Sequence, residues 1–162
     1  MDFDDFYAAN FDRVRRAMTL CFRDPSLAED VTQDAFYRAL RKWPMINQHE
    51  HLEGWVMLSA LNRGRDVARR TSRHRVKSPL LTDTRDSEAG HKAVEDRMVV
   101  TDLLAGLSDR QRQALVLRYV SQLTIPEMAT AMGCAEGTVK STLHTAIAKA
   151  AQRTKGVLDV AD

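Results

Sequence analysis

The sequence predicts an all-α protein made of two small helical domains, a helical bundle and then a helix-turn-helix, joined by a flexible linker. Three observations carry that prediction. Apolar residues recur at spacings of three and four along nearly every periodic stretch. Large β-branched runs are missing. Residues 74–93 lose periodicity and fill with Ser, Thr, Asp, Gly and Pro, and about twenty structureless residues are uncommon inside one compact domain. The expected division is a first domain over 1–75, a linker over 76–97, a second domain over 98–156 and a tail over 157–162.

Each element follows from local pattern. Phe3, Phe6, Tyr7, Phe11, Val14, Ala17, Met18 and Cys21 stripe one face of a first helix. Asp24-Pro25 supplies an N-cap acceptor and a proline suited to the first turn of a second. That helix faces Leu27, Val31, Ala35, Phe36 and Leu40 inward. It is expected to end at Trp43-Pro44, because the residue before proline is pushed out of the α region. A polar loop over Met45–His51 comes next. A third helix, Leu52–Arg73, begins apolar (Leu52, Trp55, Val56, Leu58, Leu61) and turns basic from Arg63. Its arginines lie on more than one face, so that end cannot be buried all round.

A helix resumes over about 94–106, and Ser108 caps the next, Asp109–Val120, with Leu115, Val116 and Tyr119 inward. Thr124-Ile125-Pro126-Glu127 reads as a capping box, with Met128, Ala129 and Met132 facing inward behind it. Gly133 supplies the left-handed turn that ends the short helix. A last helix runs from Glu136 to about Ala150, with Val139 and Leu143 facing back. Two helices, a glycine turn and a small residue at their crossing make a helix-turn-helix.

The net charge of +2 hides a pattern. Residues 1–34 hold 8 acids and 4 bases, and residues 51–77 hold 7 bases and 2 acids. Residues 78–109 are acidic again, and residues 128–156 hold 4 bases and 1 acid. Two basic segments separated by an acidic one suggest two places for phosphate to bind. No stretch reaches the roughly 18 uncharged apolar residues of a membrane span. The first residues are acidic where a signal peptide is basic. Cys21 and Cys134 form no CxxC pair, which argues against a zinc site or a disulfide framework and for a reducing cytoplasm.

Catalytic chemistry finds no foothold. His49-Glu50-His51 with Glu53 lacks the i, i+4 spacing that sets two histidines on one helix face, so no metal is expected. No glycine-rich phosphate loop and no nucleophile-and-base pattern is present. Cys134 reads as a small packing residue, and Met128 and Met132 as core. No cofactor is expected.

The stretch Asp24-Pro25-Ser26-Leu27-Ala28-Glu29-Asp30-Val31-Thr32-Gln33-Asp34-Ala35-Phe36 resembles the region 2 helix of extracytoplasmic-function (ECF) sigma factors. Those are small bacterial initiation factors of the sigma-70 type. Gly54-Trp55, then Ala60, Asn62, Asp66, Arg69 and Arg70, is similar to their promoter-facing helix. Leu107-Ser108, Arg110-Gln111-Arg112 and Leu117-Arg118-Tyr119 look like region 4, as do Gly137-Thr138-Val139-Lys140-Ser141 and Leu143-His144. The four motifs occur in order around a linker and together span about 3–73 and 98–152.

The resemblance implies a transcription initiation factor that is not an enzyme. Asp30, Gln33, Asp34, Arg38 and Arg41 would dock on the β′ clamp helices of core RNA polymerase, with the β flap as a second contact. Asn47, Gln48, His49 and His51, with Trp55, would capture a base of the −10 element. Asn62, Arg63, Arg65, Arg69, Arg70 and Arg73 would meet phosphates and the melting junction. Thr138, Lys140, Ser141, His144, Thr145 and Lys149 would face the −35 element in the major groove. An anti-sigma factor is a further partner that the resemblance brings with it.

Two departures stand out. Many relatives carry arginines where this chain has Thr142, Thr145 and Ile147, and many carry arginine in place of Leu61. Bidentate arginine–guanine contacts are the commonest specific readout, so reading at −35 is in question. Two rivals stay open from sequence: a plain helix-turn-helix regulator, and a sigma-like scaffold that holds polymerase but reads DNA poorly. The first leaves the N-terminal helices and the Trp43–Trp55 segment without a role.

Overall fold

A computed structural model describes residues 1–75 and 100–160, and the expected linker and the first residues of the helix expected over about 94–106 lie outside them. Helix α1 spans Phe3–Phe22, α2 Pro25–Ile46 and α3 Leu52–Arg75. Residues 100–105 form α4. Helix α5, Asp109–Leu115, runs into a π turn over Val116–Val120. Helices α6, Ile125–Met132, and α7, Glu136–Val160, complete the fold. No strand occurs among the described residues.

The helix starts are written in side chains. The Asp2 carboxylate accepts from Asp5 N–H, and the Asp24 carboxylate from Leu27 N–H at 3.0 Å. Both satisfy amides that the first helical turn leaves without partners. Ser108 with Gln111 and Thr124 with Glu127 form reciprocal capping boxes. Gly133, at φ 63°, ends α6 in the left-handed region where a side chain is strained.

Rings join α1 to α2. Phe6 and Tyr7 lie 5.7 and 5.2 Å from Phe36 between ring centres, and Trp43 meets Phe3 and Phe6 at 5.3 and 5.4 Å. Such packing adds to simple area burial. It also explains one correction: α2 does not stop at Trp43-Pro44 but continues through Pro44 to Ile46. Proline removes only the bond to the Leu40 carbonyl, and Leu40 is exposed, so water can serve that group. Trp43 is held by its aromatic partners, and the Asn47 N–H still reaches the Trp43 carbonyl at 2.9 Å. The loop is therefore 47–51, shorter than expected.

Three further expectations shift. Leu40 faces solvent and Ala39 takes the buried place on α2. Tyr119 is 62% exposed, not inward. The π turn, closed by Ser121 N–H to the Val116 carbonyl, fits an extra residue into the turn and rotates the side chains beyond it. Leu117 within the turn and Ser121 just after it are buried. Helix α7 continues about ten residues beyond Ala150, into the expected tail.

The two halves pack on each other, chiefly α3 against α6 and α1 against α5 and the π turn. One apolar cluster runs from Phe6 to Leu143 through Met57, Leu61, Leu117 and Met128. Leu61 is fully buried in it, a place that would strand an arginine. Arg112 is the one buried cation among the described residues. It donates to the Leu104, Leu107 and Cys21 carbonyls at 3.4, 3.2 and 3.2 Å and pairs with Asp109 at 3.1 Å. A buried guanidinium is tolerable only when its donors are satisfied in this way.

Candidate nucleic-acid interface

Helix α2 buries Ala28, Val31, Ala35, Phe36 and Ala39, which turns the opposite stripe outward. Asp30, Gln33, Arg38 and Arg41 are exposed there, and Asp34 is half-buried. Asp34 pairs with Arg38 at 3.0 Å, one turn apart. Gln33 donates to Glu29 at 2.8 Å. The same stripe carries Tyr37 and Leu40, both exposed, with the Arg41 guanidinium 6.0 Å from the Tyr37 ring. The sequence reading missed these two apolar side chains. Exposed large apolar residues at i and i+3 beside charged ones are an interface signal, visible only once the inward face is known.

The 47–51 loop presents Asn47, Gln48 and His49 to solvent. It is ordered by His49 N–H to the Ile46 carbonyl at 2.8 Å and by His51 N–H to His49 Nδ1 at 3.1 Å. His51 is turned away from its neighbours: its Nδ1 lies 3.6 Å from Glu127 Oε1 of α6. Trp55 is half-buried, with the Lys42 ammonium 5.9 Å from its ring.

Along α3, Asn62, Arg69, Arg70 and Arg73 are exposed and Arg63 is half-buried. Arg65 departs from the group. It donates to Gln113 Oε1 of α5 at 2.8 Å and reaches Asn62 Oδ1 at 3.5 Å. Burial and the nearby Arg110 both lower its pKa from the usual arginine value. Glu53, at the start of the same helix, is pushed up by burial, opposed by Arg13 and reinforced by Glu127. Glu127 itself lies below its ordinary value. Its burial works the other way, but hydrogen bonds from Thr124 and the charge of His51 outweigh it.

Helix α7 has one buried and one exposed face. Val139, Leu143 and Ala146 are buried against the bundle, while Thr138, Lys140, Ser141, His144, Thr145 and Lys149 are all exposed. Ser141 and Thr145 return their hydroxyls to the Thr138 and Ser141 carbonyls, each at 3.1 Å. Lys149 reaches Gln111 at 3.4 Å. A shallow groove beside this face is lined by Ser108, Arg110, Ser141 and Thr145. Arg110 is anchored to the Met132 carbonyl at 2.8 Å, which ties α5 to the end of α6. Cys134 is half-buried at the turn, not sealed in the core, whereas burial drives the Cys21 thiol up to about 12.

The structure thus sorts the sequence-derived residues into an α2 stripe, a loop with the basic end of α3, and an outer face of α7. Only His51 and Arg65 are drawn instead into contacts between the halves. Among the described residues, no helix is long and apolar enough to cross a membrane.

Both halves of the chain match known families. Residues 6–74 match the family described as Sigma-70 region 2, and residues 97–149 match Sigma-70, region 4. The RNA polymerase sigma-E factor of Streptomyces avermitilis is 30% identical over 151 residues, covering 92% of this chain and 83% of its own length. The ECF RNA polymerase sigma factor SigK of Mycobacterium sp. (strain JLS) is 28% identical over 161 residues, covering 88% and 80%. The solved structure of the sigma factor RpoE in complex with the anti-sigma factor NepR from Bartonella quintana shares the fold. Its TM-score is 0.83 at 22% identity, over 95% of this chain and 97% of that one. The chain belongs to the sigma-70 family of RNA polymerase sigma factors, in its two-region ECF form.

Proposed function

We propose that this initiation factor divides its work among three surfaces: the α2 stripe, the loop with the basic end of α3, and the outer face of α7. The α2 stripe docks on the β′ clamp helices of core RNA polymerase. Tyr37 and Leu40 supply apolar contact, while Asp30, Gln33, Asp34, Arg38 and Arg41 fix orientation and suppress wrong partners. The second half, with the β flap as its contact, carries α7 to the −35 element.

Opening the duplex needs no catalytic group, so the chain acts as a binding protein and not as an enzyme. A single strand is held more tightly than the closed duplex when an unstacked base finds a pocket of hydrogen bonds and a ring to stack on. Asn47, Gln48 and His49 offer donors, acceptors and an imidazole on an ordered loop, and Trp55 lies just beyond. The exposed Arg69, Arg70 and Arg73 neutralise backbone phosphate next to it, and Arg63 and Asn62 extend that track.

On α7, hydroxyls and one imidazole replace the usual arginine forks. Thr138, Ser141, His144 and Thr145 reach base edges weakly, and Lys140 and Lys149 hold phosphate. Recognition at −35 then leans on groove shape. The observation that carries the whole reading is that α7 exposes every one of these residues while burying Val139, Leu143 and Ala146. Work of this kind places the protein in the cytoplasm with polymerase, under the control of an anti-sigma partner.

The test is run-off transcription with purified core polymerase and this protein. Transcripts starting at discrete, protein-dependent positions are expected. Binding to core without any defined start would leave only the polymerase-holding scaffold.

A further inference from the structure

A notch opens beside α7, on the side that faces the start of α5. Its volume is about 230 Å³, and across it Ser108, Arg110 and Gln111 face Ser141, Thr142 and Thr145 of α7. Small-molecule pockets begin at roughly 300 Å³ and enclose most of their ligand. This notch is smaller, shallow and polar, so it suits a single charged group carried on a larger molecule. None of the six lining residues is acidic. Asp109, an acid in the same turn, is paired with Arg112 at 3.1 Å.

Donor capacity in the notch is left on two residues, Arg110 and Thr142. The Ser108 and Gln111 side chains close the capping box, and Gln111 Oε1 also accepts from Lys149 at 3.4 Å. The Ser141 and Thr145 hydroxyls donate to carbonyls of their own helix. Arg110 gives one N–H to the Met132 carbonyl at 2.8 Å, out of the five that a guanidinium carries. That bond fixes the fork without exhausting it, and the side chain is exposed. Thr142 is half-buried at the notch, and its hydroxyl has no hydrogen-bond partner among the described residues.

We propose that this notch binds one backbone phosphate of the −35 DNA, with Arg110 as its principal contact and Thr142 as a second donor. Helix α5 thereby supplies a guanidinium that residues 138–149 of α7 lack. The inference rests on the reading of α7 as the −35 face.

Continuity picks the occupant. Ser141 and Thr145 belong both to the wall of the notch and to the exposed face of α7. A duplex lying on that face brings its nearer strand to the notch, and a strand presents a phosphate at every nucleotide step. Arg110 is bonded to a carbonyl, not to a carboxylate, so its charge is not neutralised there. Burial and that charge together lower the pKa of the nearby Arg65. An anion in the notch relieves this repulsion, and a neutral base edge does not. Donors on two separate helices also fix the angle at which α7 enters the groove, since phosphate contacts set register and base contacts set sequence.

The test is binding of holoenzyme to a promoter that it opens, with one −35 phosphate at a time replaced by an uncharged methylphosphonate. In the wild type, replacement at one position should weaken binding by about tenfold, the loss of a charged hydrogen bond. Arg110→Ala should weaken binding to the unmodified promoter by a similar factor and lower its salt slope by about 1. It should also make that one position silent while other positions keep their sensitivity, which is the signature of direct coupling. Arg110 braces the end of α6 as well, so Thr142→Val serves as a second variant that leaves the brace in place. It should cost about two- to fivefold in affinity and blunt the same position.

If Arg110→Ala weakens binding at all positions alike and silences none, Arg110 is a brace of the helix-turn-helix and the notch is overturned. Sensitive phosphates that ignore both variants overturn it too, while leaving α7 on the −35 element. A wild-type scan with no sensitive −35 phosphate removes the −35 reading of α7 and the notch together. A last arm separates DNA from a free anion. Inorganic phosphate that raises the thermal midpoint of the free wild-type protein but not of Arg110→Ala, with no DNA phosphate coupled to Arg110, would make this a free-anion site and contradict the proposal.

Discussion

The guanidinium of Arg65 and the side-chain oxygen of Gln113 are 2.8 Å apart, although 48 positions separate them in the chain. One residue comes from the basic end of α3 and the other from α5. Sequence alone put Arg65 with its neighbours on promoter DNA, yet it has a protein partner. Arg69 and Arg70, one turn on, are exposed, and that difference separates their expected behaviour.

Replacing Arg69 and Arg70 by alanine should weaken promoter binding and lower its salt slope by about 1 to 2, the counterions of one or two phosphates. Replacing Arg65 alone should do less, because its guanidinium is already engaged by Gln113. Binding titrations at several salt concentrations, with holoenzyme and promoter fragments, measure both. Equal effects for Arg65 and the Arg69/Arg70 pair would mean that the Gln113 contact has no energetic role.

The α2 stripe gives a second expectation. Tyr37→Ala with Leu40→Ala should weaken association with core polymerase by about tenfold or more, as truncation of interface anchors does. Asp34→Lys should also weaken it. Thermal stability should stay within about 0.5 kcal/mol for the Tyr37 and Leu40 changes, since both side chains are exposed. A fall in stability with unchanged affinity would move these residues from the interface to the fold.

Two substitutions probe the helix-turn-helix. Gly133→Ala places a Cβ at φ 63° with no atom near it, so its cost is conformational, about 1 to 2 kcal/mol. Thr124→Ala removes the N-cap of α6 and should cost about 1 kcal/mol. Chemical denaturation checks both. An unchanged midpoint for Gly133→Ala would mean that the turn relaxes.

The two interfacial carboxylates predict opposite pH effects. Glu127 has a lowered folded pKa, so its stabilisation is present above the unfolded value and is lost as pH falls through the folded one. Glu53 has a raised folded pKa, so its contribution is present below the unfolded value and is lost as pH rises through the folded one. Glu127→Gln should therefore flatten the loss of stability on the acid side. Glu53→Gln should remove a penalty felt at neutral pH, less whatever the Arg13 pair contributed. Stability measured from pH 3 to 7 for each variant decides the signs.

Helix caps and stripes were legible because their signals are local. Asp24-Pro25, the Thr124–Glu127 box and Gly133 each act within one turn, and each is found where the sequence puts it. The α7 face was legible for the same reason. The features that were not legible depend on partners distant in sequence. Pro44 sits inside α2 because Trp43 is held by Phe3 and Phe6, some forty residues earlier. Tyr119 faces solvent because of a π turn that no propensity marks. Arg112 is buried because three carbonyls converge on it, one of them that of Cys21 in α1. Arg65 and His51 were assigned to DNA by motif position, which carries no information about how the two halves pack.

The most direct measurement of the central claim is permanganate reactivity of promoter thymines in the presence of core polymerase. With this protein added, a short cluster of thymines at one −10 element should become reactive, and alanine at Asn47 and His49 should reduce that signal without releasing the protein from polymerase. Stable association with core on promoter DNA, with every thymine still protected, would contradict the account.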